Sequence, residues 1–500
     1  MIKSVASILE SRWVIFLIIF TSLAMHLGVI NKDLVGFHVW RQTQTQSTIL
    51  SFAEEDLNIF NPRRNDRGNG DGIFRMEFPL PQWITALPVK LLGNDVLISR
   101  IMNFLYSLLS IFGIYYLVRR IFNSSQLAAL AAWLLTFTPV FYYYSVNPMP
   151  DNLALTFSIW GLFFMIKWYR EGRRGSFILM SVFFALSGLC KLPFALVFVV
   201  PGLLLIRRFF SEDTARRKTI MEGFILVCGF LPILSWYIWV IPDWEGNGIV
   251  SGIFAMDDEQ KNNFWYYLWF NLRTNIPELI IGLISLPFFV WGVISAPRLR
   301  RKSGYLSLVF LIWFFLMSVL IIFEMNMIKT VHDYYFIPFL PILVLISVFG
   351  LSRLLSLAGR KRWIWIPVVL LLLSMPVYSY FRINPRWERV GFNEDLLIYK
   401  EELRNAVPDS ALVCAGNDQS HHIFLYYINK KGWSFEQNWM GKKKLEGLMS
   451  QGCEYLYSDS RHIEQNPGIQ NVFGTKVATF GNINIFKLRN PVEGDELRKK

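Results

Sequence analysis

Long stretches of this chain carry almost no charge, and that feature limits what it can become more than any other. About eleven intervals, at 13–30, 99–118, 126–144, 152–166, 177–190, 192–206, 219–241, 277–295, 305–323, 335–352 and 364–380, are apolar runs of helix-spanning character. A helix satisfies its own backbone inside a bilayer, so such runs predict a polytopic α-helical membrane protein. A composition that is 53% hydrophobic excludes an ordinary soluble enzyme. Lys3 and Arg12 precede the first run, which is too long for a signal-peptide core and reads as an uncleaved first helix.

The formal charge of +13 invites a nucleic-acid reading, but its distribution argues against one. Basic residues cluster in every second connection: Arg119 and Arg120, then Lys167 to Arg174, Arg207 to Lys218, Arg298 to Lys302, and Arg353 to Arg362. The alternate connections carry few. The positive-inside bias explains these clusters without a nucleic acid and places the N-terminus in the cytoplasm. Loop 31–98 and the tail 381–500 then lie outside.

One stretch tests this threading. Read as a single helix, residues 176–206 would be roughly 45 Å long, beyond a hydrocarbon core of about 30 Å. It would also move every later basic cluster to the outer side. Two short spans turning at Lys191-Leu192-Pro193 keep the charge rule and put Lys191 at the outer membrane face.

The tail alternates strand-like and helical patterns, with strands expected at 411–415, 454–458, 476–480 and 483–488 and a helix at 442–451. This predicts a small C-terminal extracytoplasmic α/β domain, 381–500, after a membrane domain over 1–380. Cys414 and Cys453 fall in this region and could pair in an oxidising compartment, which their spacing leaves open.

The first loop is patterned rather than plain. It carries Asp33, His38, Trp40-Arg41-Gln42, a charged glycine-rich centre at 63–72, Arg75, Glu77 and an amphipathic stretch at 83–92. A solvated loop with aromatic anchors is the bland alternative. Against it stands the density of carboxylates, arginines and aromatics beside two spans. Three further features fall on the same outer side. Asp151 follows the Asn147–Pro150 turn, where a helix N-cap would be its ordinary role. Lys191 sits in apolar sequence, where snorkelling to the interface is the ordinary reading. His332, Tyr334 and Tyr335 precede the tenth span, where tyrosines usually anchor.

Carboxylates at Asp33, Glu77 and Asp151 supply a general base for an acceptor hydroxyl. Cations at Arg41, Arg75 and Lys191 stabilise charge growing on a departing phosphate. Together with His38, Trp40, Gln42, His332, Tyr334 and Tyr335 they form the set that a lipid-phosphate sugar donor requires.

The order of these features resembles the GT-C class of membrane glycosyltransferases, specifically glycosyltransferase family 39. That family holds the protein O-mannosyltransferases and the bacterial enzyme that adds aminoarabinose to lipid A. The likeness spans roughly residues 10–355. It rests on Trp40-Arg41-Gln42, the Glu77-to-Leu80 run, Pro150-Asp151, Lys191 before Pro193, and His332-Asp333-Tyr334-Tyr335. The resemblance implies an extracytoplasmic site, a polyprenyl-phosphate sugar donor, inversion at the anomeric carbon, and a base from the first loop with a second acid after the third span. Asp151 matches the second acid. Three positions depart from the pattern: Asp33 lacks an Asp-Glu context, Gln44 replaces an expected acid, and Phe78 replaces a phosphate-binding lysine. Phosphate contacts then fall to Lys191, Arg41 or Arg75.

The expected function is sugar transfer to a protein, lipid or glycan acceptor, in a bacterial plasma membrane, with a requirement for a divalent metal left open. A lipid-linked-sugar flippase or transporter is the first alternative. It predicts internal repeats and mid-membrane charges, and the sequence shows no repeat and few such charges. A non-catalytic envelope assembly protein is the other.

Overall fold

The computed structural model describes residues 13–68, 70–93, 95–211, 216–244, 248–302, 304–358 and 362–489. Contacts divide the chain into two compact units. The first comprises Met1–Asn31, Met76–Pro81 and Ser99–Pro385; the second comprises Lys32–Arg75, Gln82–Ile98 and Arg386–Lys500. The last piece of the second unit begins at Arg386. Most of the first loop, however, belongs with the tail rather than with the helices.

The first unit is helical, and the intervals read as spans fall mainly on helix, with turns at 27–30, 137–138 and 282–285. Among the described residues five helices are long and apolar enough to cross a membrane by themselves, or six if one bent pair is a single span. The number is below the eleven intervals because Trp13–His26, Ser125–Thr136 and Arg174–Cys190, among others, are shorter apolar helices. Arg216–Val240 shows what the surface is built for. Only 22% of its apolar window is buried by protein, and Phe224, Val227 and Ile238 face outward. Apolar surface of this extent suits hydrocarbon rather than water, and the chain is an integral membrane protein.

Several intervals are broken where the sequence supplies a breaker. The 126–144 run splits into Ser125–Thr136 and Pro139–Tyr144, since Pro139 opens a new helix. The 277–295 run is not one straight span: Asp258–Ile281 and Leu286–Pro297 meet at 105°, with Gly282 between them at φ +83°. Around Lys191 the expected turn is present. Arg174–Cys190 ends, Lys191 is extended, and a 3₁₀ turn over Leu192–Phe198 leads into Val199–Ser211. Elsewhere the helices Leu286–Lys302 and Leu340–Ala358 approach backbone to backbone. A Cβ on Gly350 would collide with the Phe288 carbonyl and stand 2.5 Å from the Gly292 nitrogen. Small residues at such a crossing are the usual way membrane helices pack closely.

The second unit is built on a five-stranded sheet ordered β2-β1-β3-β5-β4. Its strands are β1 (Leu412–Gly416), β2 (Lys431–Ser434), β3 (Cys453–Ser458), β4 (Phe473–Phe480) and β5 (Ile483–Leu488). β1 runs parallel to both β2 and β3, and the remaining pairs are antiparallel. Alternation along the strands divides the core. Val413, Ala415, Tyr457 and Ile485 pack on one face with Leu396, Leu403 and the helix Ile423–Tyr427. Cys414, Leu456 and Trp433 pack on the other with Leu445 and Leu448. Cys414 and Cys453 are buried free thiols, not a disulfide.

The first loop is not a solvated connector. Its 39–54 segment is the helix Val39–Glu54, in which Gln42, Thr43, Gln46 and Ser47 are buried. Its glycine-rich centre docks on β2: the Gly432 amide donates to the Asn65 carbonyl at 3.1 Å, and Arg67 N donates to the Gly432 carbonyl at 2.7 Å. Trp433 Nε1 donates to the Gly68 carbonyl at 2.8 Å.

Candidate active site

Within the helical unit, the short segment Met76–Pro81 is clipped to the helices around it. The Phe78 amide donates to the Leu189 carbonyl at 3.0 Å, and Trp236 Nε1 donates to the Met76 carbonyl at 3.0 Å. The Phe78 ring stands edge-on to Trp236, with centroids 5.0 Å apart. Phe78 is thus a structural wedge, and it leaves the preceding Glu77 next to the Lys191 turn.

Asp151 is placed by a buried polar network. Arg100, at the start of an apolar helix, is fully buried and donates to Asn147 Oδ1 at 2.7 Å. Asn152 Nδ2 donates to the Tyr144 carbonyl at 2.5 Å and to Asn103 Oδ1 at 2.9 Å. These bonds fix the 147–152 turn. Pro150, not Asp151, is the N-cap of the helix Asp151–Glu171, and no side chain caps it. Asp151 is the first helical residue, where the positive end of the helix dipole favours its charge. Its expected capping role is therefore replaced by another.

That role is visible at Lys191. Its ammonium lies 2.6 Å from Glu77 Oε1 and 4.0 Å from Asp151 Oδ2, and 5.4 Å from the centre of the Tyr334 ring. All three charged side chains are largely buried, with exposures of 10% for Glu77, 1% for Asp151 and 11% for Lys191. A snorkelling lysine would turn its head to water; this one turns it to two carboxylates. Tyr334 stacks on Tyr335, and the Tyr144 hydroxyl donates to buried Asp333 at 2.7 Å. His332 is bonded through Nδ1 to the Met327 carbonyl, and burial holds its imidazole below the ordinary range despite Asp333 nearby.

Two participants went unnoticed in the sequence. Arg100 was hidden because a single arginine at the edge of an apolar run reads as a boundary. Glu324 follows the helix Gly304–Phe323 and is 6% exposed. Burial pushes its carboxyl up to about 8, with the Lys191 charge opposing, and its Oε2 lacks a hydrogen-bond partner among the described residues. An acidic residue ending an apolar run was the only signal available.

The remaining predicted residues belong to the second unit. Asp33 is paired with Lys400 at 2.6 Å. Arg41 is buried and bonded to Gln44, and Gln42 Nε2 donates to the Phe37 carbonyl at 3.0 Å. Arg75 donates to the Phe60 carbonyl at 2.8 Å and to Asn61. His38 and Trp40 border a cavity of that unit. Among the described residues no group of three or more His, Cys, Asp or Glu side chains is arranged to hold a metal ion.

Known proteins sharpen this picture. Residues 77–239 match the sequence model of the family described as dolichyl-phosphate-mannose-protein mannosyltransferase, a stretch that contains Glu77, Asp151 and Lys191. No curated protein matches in sequence. In three dimensions the chain is similar to ArnT from Cupriavidus metallidurans in the apo state. The TM-score is 0.64 at 14% identity, over 95% of this chain and 98% of that one. The same protein bound to undecaprenyl phosphate gives 0.62 at 14%, covering 95% and 96%. The archaeal oligosaccharyltransferase AglB from Archaeoglobus fulgidus, in complex with an inhibitory peptide and a dolichol-phosphate, gives 0.62 at 11%, covering 96% and 74%. The chain has the fold of the GT-C membrane glycosyltransferases, and over residues 77–239 its sequence is similar to the dolichyl-phosphate-mannose-protein mannosyltransferase family.

Proposed function

We propose that this protein transfers a sugar, with inversion, from a polyprenyl-phosphate carrier to an acceptor outside the cytoplasm. The observation that carries the reading is the meeting of Glu77, Asp151 and Lys191 in one buried cluster, from positions far apart in the chain. Similar proteins that bind undecaprenyl phosphate or dolichol-phosphate support the choice of donor. The alternation of basic connections supports a cytoplasmic N-terminus and an outer site, and similarity to a protein of Cupriavidus metallidurans supports a bacterial plasma membrane.

In this mechanism the acceptor hydroxyl attacks the anomeric carbon as its proton passes to Glu77, the more exposed of the two clustered carboxylates. The bond from that carbon to the phosphate oxygen breaks, and its electron pair stays with the polyprenyl phosphate. Lys191 stabilises that charge, and Tyr334 and Tyr335 offer faces to the sugar. Asp151 holds Lys191 in place once Glu77 turns to the acceptor. His332 and Asp333 brace the tyrosines. Asp33, Arg41, Gln42 and Arg75 are assigned to binding in the second unit rather than to the chemical step.

The test compares lipid-linked sugars and envelope glycans by mass spectrometry in cells with and without the gene, and with Glu77→Gln or Asp151→Asn. Each loss is expected to accumulate a polyprenyl-phosphate sugar and deplete one glycan. Wild-type glycans in both variants would overturn the site.

A further inference from the structure

The second unit contains a cavity of about 590 Å³ that the proposed transfer chemistry does not use. Its position in the sheet is informative. β1 has β2 on one side and β3 on the other, so the chain reverses its direction across the sheet between β1 and β3. Open sheets with parallel strands bind ligands at this point, outside the carboxyl ends of the strands. The cavity lies there: Asn417 to Ser420 follow the end of β1, and Asp459 follows the end of β3. Its volume is in the range of about 300–1,000 Å³ found for small-molecule sites.

The lining narrows the ligand class. Asp459 is held in place by the Asn417 amide at 2.6 Å and by Asn393 Nδ2 at 2.8 Å. Asp418 accepts from the Ser420 amide at 2.8 Å and from the Phe424 amide at 2.8 Å. Each carboxylate has about four lone-pair sites, so these bonds orient it and leave acceptor capacity. The half-buried rings of Trp40 and Phe392 add apolar faces, and exposed Gln419 adds an amide at the edge. Two carboxylates disfavour an anion, and a lining that mixes polar with apolar groups disfavours an acyl chain. Aromatic faces beside oriented carboxylates and amides match a neutral polyhydroxylated ring, apolar on its C–H faces and donating from its hydroxyls.

We propose that this cavity is a saccharide-binding site for neutral sugar units, distinct from the Glu77–Asp151–Lys191 cluster. Its assignment as the seat of an acceptor glycan rests on the transferase reading; saccharide binding itself does not.

The experiment uses the full-length protein in an amphipol, because maltoside detergents carry the ligand chemistry under test. Saturation-transfer NMR is recorded with maltotriose, mannotriose and chitotriose, and inorganic phosphate, the anionic probe, is followed by broadening of its ³¹P line. At least one neutral trisaccharide is expected to bind. Gln419→Trp, which fills the cavity edge from an exposed position, and Asn393→Ala are expected to weaken it at least tenfold. Glu77→Gln, which tests the transferase site, is expected to bind it as wild type does. The proposal is overturned if none of the three sugars binds, if phosphate alone binds, or if sugar binding is unchanged in both cavity variants. Loss of transfer in Glu77→Gln is read separately, so either idea can fail alone.

Discussion

Replacing Lys191 by Met removes the cation from a buried cluster and leaves Glu77 and Asp151 facing each other's charge. Breaking a buried pair from one side costs about 3–5 kcal/mol, because the surviving charge keeps its desolvation penalty without its partner. The 2.6 Å contact and the 10–11% exposures of Lys191 and Glu77 place this pair in that class. Glu77→Gln alone should cost less, since Lys191 retains Asp151 at 4.0 Å. The double variant, which removes both members of the short pair, should recover roughly 2 kcal/mol relative to the sum of the single changes. The assay is a double-mutant cycle by denaturant unfolding in micelles, run alongside sugar transfer from a polyprenyl-phosphate donor. Stability should be partly restored in the double variant while transfer stays absent. Additivity within about 0.5 kcal/mol would refute the claim that the two charges are coupled, and transfer by the double variant would refute their chemical role.

Further outcomes are expected elsewhere. With its carboxyl raised from 4.5 to about 8, Glu324 binds a proton in the folded state that the unfolded chain has lost, so stability should fall as pH rises between those values. At 1.36 kcal/mol per unit the span is at most roughly 5 kcal/mol, and melting curves from pH 5 to 8 should flatten in Glu324→Gln. Gly350→Leu should lower stability by about 3 kcal/mol or prevent folding, read as loss of the monodisperse peak in detergent, because its side chain would enter the Phe288 and Gly292 backbone. Burial and the neighbouring Cys453 raise the Cys414 thiol well above its ordinary range, so maleimide at neutral pH should label Cys414 only after unfolding.

Much of the helical unit was legible because lipid imposes simple requirements. Apolar runs mark helices. Even the break at Lys191 followed from a length that no bilayer accommodates in one helix. The bend at Gly282 was harder to see, since the run continues apolar through a glycine that only its φ reveals. The site was half legible. Glu77, Asp151 and Lys191 were identified by type, but sequence order grouped them with Asp33, which pairs with Lys400 in the other unit. The helix Val39–Glu54 escaped because its buried face is glutamine and threonine, which carry no hydrophobic period. Strand β2 escaped because four residues with a glycine give little alternation.

The discontinuity of the second unit has a consequence for biogenesis. Its first two pieces end at Ile98 and its last begins at Arg386. At about 5–20 residues per second, the ribosome needs roughly 15–60 s to deliver the partner of the early pieces. During that interval the helix Val39–Glu54 lacks the helix Ile423–Tyr427 and the glycine-rich segment lacks β2, so both wait as unfinished chain. Truncation near the C-terminus should therefore act on residues synthesised first, and a chaperone would find its substrate in the loop rather than in the tail.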